Sequence, residues 1–168
     1  AARRMLLLGD PQQLPQVSQG THPEPVDTSA LGWVMDGAAV IPPDRGYFLA
    51  RTRRMRPEVA EPVSQLSYEG KLEAHPETAA RSLEGVAPGV VPVALTHTRN
   101  ATQSPEEADA VVDLVRGLRG RSWQDGDGER PLEGSDIIVV TPYNAQQVMV
   151  EEALVAAGFA DVPVGTVD

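Results

Sequence analysis

Apolar residues along this chain fall into short runs and helical stripes, separated by polar breaks marked with Pro and Gly. Met5-Leu6-Leu7-Leu8 is a continuous apolar run stopped by Gly9-Asp10-Pro11, which predicts a buried strand meeting a turn. Residues 11–27 are polar and rich in Gln and Pro, and read as a long loop. Ser29 has the chemistry to cap a short helix through Ala30, Leu31, Trp33, Val34 and Met35. Beyond the break at Ile41–Gly46 a short strand is predicted at Tyr47-Phe48-Leu49. Pro57 suits the first turn of a helix whose apolar positions Val59, Val63 and Leu66 are helically spaced, with Pro62 counting against it. Val90 to Leu95 reads as a strand complicated by Pro92.

The clearest helix signal opens at Ser104-Pro105-Glu106-Glu107. It offers an N-cap hydroxyl, a proline in the first turn and two acids at the positive end of the helix dipole. Ala108, Val111, Val112, Leu114, Val115 and Leu118 then form a broad apolar face that stops at Gly120. Residues 121–135 read as a polar, Gly-rich loop, and Ile137–Val140 as a strand buried on both faces. Asn144 is the expected cap of a helix running through Val148, Val150, Leu154 and Val155 to Gly158. Val162–Val167 reads as a last strand. From residue 90 onward, strand and helix alternate in the manner of a parallel α/β fold.

Composition narrows the picture. The 168 residues are 41% hydrophobic, enough for a sizeable core, and no apolar run approaches the ~18–20 residues of a membrane helix. The absence of Cys excludes disulfides and Cys-based zinc sites, and an intracellular, cytoplasmic home is expected. The net charge of −10 is uneven: residues 1–60 sum to +1 and residues 61–168 to −11. That acidic balance argues by itself against nucleic acid, whose phosphates draw on positive charge. All basic residues but Lys71 are Arg, a bias that, with abundant Ala, Val, Gly and Pro, fits a GC-rich bacterial genome.

Open parallel sheets bind ligands at the carboxyl ends of their strands. Three polar segments fall at such places: Gly9–Leu14, Thr141–Gln146 and Gly165–Asp168. In the first, Asp10 could hold a metal-bound water and Gln13 offers both a donor and an acceptor to a phosphate or water. The plain alternative is an Asp-Pro turn with solvated glutamines. Arg51, Arg53, Arg54 and Arg56 form a cluster suited to bidentate phosphate contacts, or else a solvated charge run paired with acids of the same chain. Tyr143 could stack on a base or simply pack. His22, His75 and His97 lack zinc-ligand spacing and are read as structural or surface residues. Asp44, Glu69 and Lys71 match the permissive PD…ExK pattern of Mg²⁺-dependent nucleases, but Tyr68–Lys71 has the look of a turn. No G-x-x-x-x-G-K-[ST] phosphate cradle occurs.

Taken in order, five segments resemble the later motifs of superfamily 1 helicases, in the branch that includes the nonsense-mediated-decay RNA helicase and its DNA-processing relatives. Leu8–Pro15 resembles motif III. Arg53-Arg54-Met55-Arg56-Pro57 resembles the Tyr-Arg-Met-His-Pro signature, and Tyr68–Leu72 the segment that follows it. Ile138–Gln146 resembles the next block and Val164–Asp168 the opening of motif V. The spacing and the Arg-rich variant are also similar to actinobacterial proteins that fuse a RecB-like nuclease to such a helicase. Two positions depart from the pattern: Arg53 stands at the usual tyrosine, which stacks near the adenine in relatives, and Arg56 at the usual histidine.

The resemblance implies an α/β fold with a RecA-like, P-loop NTPase-type parallel sheet flanked by helices. Residues 1–45 would be the tail of the first RecA-like domain and residues 46–168 the second motor domain, truncated within motif V. It implies ATP and Mg²⁺ as cofactors of the intact parent, none bound to the isolated chain, and no resident metal site. Gln13 would sense the γ-phosphate beside Asp10, Arg54 would act as arginine finger, and Arg53 would lie near the nucleotide. Thr141, Pro142, Tyr143, Gln146 and Thr166 would lie along single-stranded nucleic acid, DNA rather than RNA. The expected partners are that strand, the first RecA-like domain and a nuclease domain of the same polypeptide, and no membrane. Such motors grip strands largely through amides and hydroxyls, which reconciles the acidic balance with nucleic acid. The isolated chain is expected to be inactive. The alternatives are a PD-(D/E)xK-type nuclease and a non-catalytic interaction module.

Overall fold

The computed structural model describes residues 3–13, 20, 22–23 and 26–167. The later parts of the first and last motif-like segments, Leu14-Pro15 and Asp168, lie outside the described residues. The chain divides into two compact units, Ala1–Ala79 and Ala80–Asp168, a division that falls inside the tract the resemblance assigns to the second motor domain.

In the first unit, helix α1 (Ala30–Met35) is capped as expected: the Ser29 hydroxyl accepts from the Gly32 amide at 2.9 Å. Strand β1 (Arg51–Thr52) pairs in parallel with β2 (Glu73–Ala74), and helix α2 (Pro57–Ser67) connects them. Pro57 enters at the first turn, where its missing N–H costs nothing, and Pro62 is accommodated inside the helix. The buried face of α2 is not the Val59–Val63–Leu66 stripe. Ala60 and Ser64, one turn apart, are buried, whereas Leu66 is exposed. Ser64 explains the rotation. Its hydroxyl accepts from the Leu72 amide at 2.9 Å, and its carbonyl accepts from the amides of Tyr68 and Gly70, also at 2.9 Å. These bonds close the helix into a left-handed turn with φ of 55° at Glu69 and 72° at Gly70.

Two expected strands of this unit are absent. Met5, Leu6 and Leu8 are exposed and pair with no described strand, and Tyr47 and Leu49 are likewise exposed, the strand starting instead at Arg51. An apolar run becomes a strand only where a neighbouring edge takes up its N–H and C=O groups.

The second unit is organised on helices α3 (Pro105–Leu118) and α4 (Asn144–Ala156). Ala108, Val112 and Val115 of α3 pack with Val150 and Leu154 of α4 and with Val162, and Ile137, Val139 and Val164 join from the sheet. The Ser104 cap forms as expected, its hydroxyl accepting from the Glu107 amide. Strands β6 (Val139–Thr141) and β7 (Val164–Thr166) pair in parallel beside α4. Tyr143, not Asn144, is the N-cap of α4, and Asn144 is its first helical residue.

Three further expectations change here. Residues 121–135 are not a loop: β4 (Ser122–Asp125) and β5 (Gly128–Pro131) form a hairpin around Gly126-Asp127, and β3 (Ser82–Leu83) adds antiparallel to β4. Val90–Leu95 forms no strand and its side chains are exposed. Ile138 and Val140 are also exposed, so the β6 region is covered on one face and open on the other. The described residues thus form a mixed α/β fold with three small sheets, two of them parallel.

Candidate functional site

In the first unit the motif III-like segment is a tight turn built on Asp10. The Asp10 Oδ1 accepts from the Gln12 amide at 3.0 Å, and Oδ2 accepts from Gln13 Nε2 at 2.8 Å. The same Oδ2 accepts from the Tyr68 hydroxyl at 2.5 Å, a contact that spans 58 residues of chain. Partial burial pushes the Asp10 carboxyl up, but the bonds from Tyr68, Gln13 and Gln12 together outweigh it and hold the group below its ordinary value. Tyr68 moves the other way: its bond to the Asp10 carboxylate, then burial, raise the phenol above its usual range. Tyr68 was legible only as part of a motif-like segment. No local spacing announces its partner.

The arginine cluster leads into α2. Arg51 lies 3.8 Å from Glu73 and Arg53 2.8 Å from Glu77, and Arg56 makes two 3.0 Å bonds to Glu58. These pairs put the charge-run alternative partly in view, since arginines do meet acids of their own chain. The Arg51 and Arg53 pairs are exposed and worth little, whereas the Arg56 side chain is mostly covered and bonded twice. Arg54 is exposed, and its backbone N–H meets Thr52 Oγ1 at 3.2 Å.

The second unit brings two distant segments together. The parallel register places Thr141 opposite Thr166 at the carboxyl ends of β6 and β7, where α/β sheets bind ligands. Thr141 is buried, with its hydroxyl donating to the Tyr143 carbonyl at 3.2 Å; Pro142 and Tyr143 are exposed beside the first turn of α4.

Gln146 is placed otherwise. It is buried, its Oε1 accepts from the Ser104 amide at 2.7 Å and its Nε2 donates to the Ser104 carbonyl at 3.1 Å. This side chain therefore clamps the start of α3 to the first turn of α4, 42 residues away, and does not present its amide to solvent. Gln146→Ala should leave the Ser104 amide without its partner, while the Ser104 carbonyl keeps the Ala108 amide at 3.2 Å, and destabilise the second unit by about 1–3 kcal/mol, read by denaturant unfolding. An unchanged midpoint would count against the clamp.

The nuclease-like pattern does not assemble on a strand. Glu69 and Lys71 pair with each other at 2.6 Å across the left-handed turn. Among the described residues no three His, Asp or Glu side chains gather into a metal site.

A family model described as an AAA domain matches residues 34–168. That span is most of the chain. The chain belongs to this family, whose AAA domain is helicase-like and of the superfamily 1 type. The AAA domain indicates a helicase-type NTPase parent, and with it nucleotide and Mg²⁺ use in that parent. No solved structure matches the chain. No helix among the described residues of this AAA domain is long and apolar enough to cross a membrane.

Proposed function

We propose that this AAA domain belongs to an ATP-dependent helicase or translocase acting on single-stranded nucleic acid, DNA in preference to RNA. Bound ATP would supply the anhydride whose hydrolysis drives movement. The donor set in the first unit suits its phosphates: the exposed guanidiniums of Arg53 and Arg54 and the amide of Gln13 are groups of the kind that would donate to phosphate oxygens. Arg54 is the arginine finger in this reading, and the remaining nucleotide contacts come from another domain of the parent. Asp10 holds the Gln13 amide in place.

The observation that carries the strand-binding half is the Thr141–Thr166 register. It sets Thr166 beside the buried Thr141, whose hydroxyl is given to the Tyr143 carbonyl and shapes that loop, at one sheet end next to the α4 N-terminus, where backbone amides favour phosphate. Pro142 and Tyr143 continue that surface, with Tyr143 half exposed and able to stack on a base. Gln146 contributes by tying the first turn of α4 to the start of α3.

The test is single-strand binding by the full-length gene product, followed by fluorescence anisotropy. Tyr143→Ala should weaken binding of single-stranded DNA by about 1–3 kcal/mol, roughly 5- to 150-fold, with little change in unfolding midpoint. Equal affinity of mutant and wild type would remove Tyr143 from the strand path. Failure of any single strand to stimulate ATP hydrolysis would sink the motor reading.

A further inference from the structure

The turn that carries Gln13 is exposed and short, and its internal bonds do not by themselves fix where the Gln13 amide points. The Gln13 amide N–H reaches the Asp10 carbonyl at 3.2 Å, Nε2 reaches Oδ2 and the Gln12 amide reaches Oδ1, so every one of these bonds lies within the turn itself. Gln12 Nε2 adds a longer contact, 3.4 Å to the Ala39 carbonyl. Tyr68 supplies a firmer anchor from outside the turn. Its ring lies 6.0 Å from that of Phe48 at 33°, its amide is held by the Ser64 carbonyl, and its hydroxyl donates to the carboxylate oxygen that also receives Gln13. The residue sits at the C-terminal cap of α2, the helix that follows Arg54.

We propose that Tyr68 is a positioning residue that sets the orientation of the Gln13 side chain through the shared Asp10 carboxylate. Nε2 is committed to Asp10 and the Gln13 side chain also hydrogen-bonds Tyr68 itself, which leaves the amide carbonyl as the group able to accept from a water. Losing the Tyr68 hydroxyl leaves the carboxylate held only from within the turn, by Gln12 and Gln13, and widens the range of orientations open to the Gln13 amide. The consequence for ATP turnover rests on the helicase reading above; the positioning itself does not.

Two measurements separate the two claims. In the 168-residue chain, the side-chain amide NMR signals of Gln13 should move toward those of a free glutamine in Tyr68→Phe, which keeps the ring and loses only the hydroxyl. Asp10→Asn should move them as far, and the double variant no further, because both act on one contact. A Gln13 signal unmoved in Tyr68→Phe but moved in Asp10→Asn overturns the proposal. In the full-length gene product, Tyr68→Phe should lower the kcat of strand-stimulated ATP hydrolysis about tenfold with KM for ATP within about twofold. If Gln13→Ala abolishes turnover while Tyr68→Phe leaves kcat unchanged, positioning is again overturned. If Gln13→Ala itself has no effect, the helicase role of Gln13 fails, and the amide signal alone decides for or against Tyr68.

Discussion

Arg54→Ala in the full-length gene product is expected to lower the kcat of nucleic-acid-stimulated ATP hydrolysis by about 10³–10⁵-fold, with ATP affinity changed by no more than severalfold. The argument is one of charge at a particular moment. A guanidinium that meets the transferring phosphoryl group stabilises charge that develops only in the transition state, so its loss appears in kcat and not in ground-state binding. Arg54 is exposed and lies three residues before α2, a helix anchored at its far end by Ser64 and Tyr68. Arg54→Lys should recover only part of the rate, because an ammonium is a point charge and not a planar fork. Arg56→Ala makes the useful contrast, since that side chain is already bound twice to Glu58 and should cost less. Single-turnover kinetics with independent nucleotide-binding titrations would check this. Unchanged turnover in Arg54→Ala would remove the residue from the mechanism.

Leu154→Ala should destabilise the second unit by about 2–5 kcal/mol, the range for truncating a fully buried leucine. Its side chain is among the largest fully enclosed ones in the described residues and packs among Val112, Val115, Val150 and Val162. Removing it withdraws contacts from α3 and α4 at once and leaves a cavity the rigid helices only partly close. Val155→Ala, the next residue along, should change stability by no more than about 0.5 kcal/mol because Val155 is 61% exposed. Urea unfolding of both variants, with slopes compared, checks the pair. Equal losses would mean that the α4 face has been assigned wrongly.

That neighbouring pair shows how far the linear pattern reaches. Helix α3 was legible because its signals are local: a hydroxyl cap, a first-turn proline, two acids and a stripe repeating at three and four residues. The end of α4 at Gly158 was legible for the same reason. Its inward face was not, since Val148, Met149 and Val150, then Ala153, Leu154 and Val155, are apolar on every side. The hairpin β4–β5 was missed although Asp125-Gly126-Asp127-Gly128 carries the residues of a two-residue turn, because its flanks alternate weakly between apolar and polar. In the candidate site, the placement of Thr141 and Thr166 at strand ends was expected, since both end apolar runs, but their pairing in register was not. The burial of Gln146 was not, because its partner is a backbone group 42 residues away.

The sequence by itself determined the capped helices, the turn residues, the exclusion of disulfides and the motif order that pointed to a helicase-like domain. All of these depend on contacts within a few residues or on residue chemistry alone. The tertiary structure decided which apolar runs find a strand partner, which face of α2 and α4 turns inward, and whether a polar side chain such as Gln146 or Tyr68 serves the interior or the surface. Those outcomes depend on pairings across tens of residues, where a hydrogen bond or a buried side chain is satisfied only by what the rest of the fold brings to it.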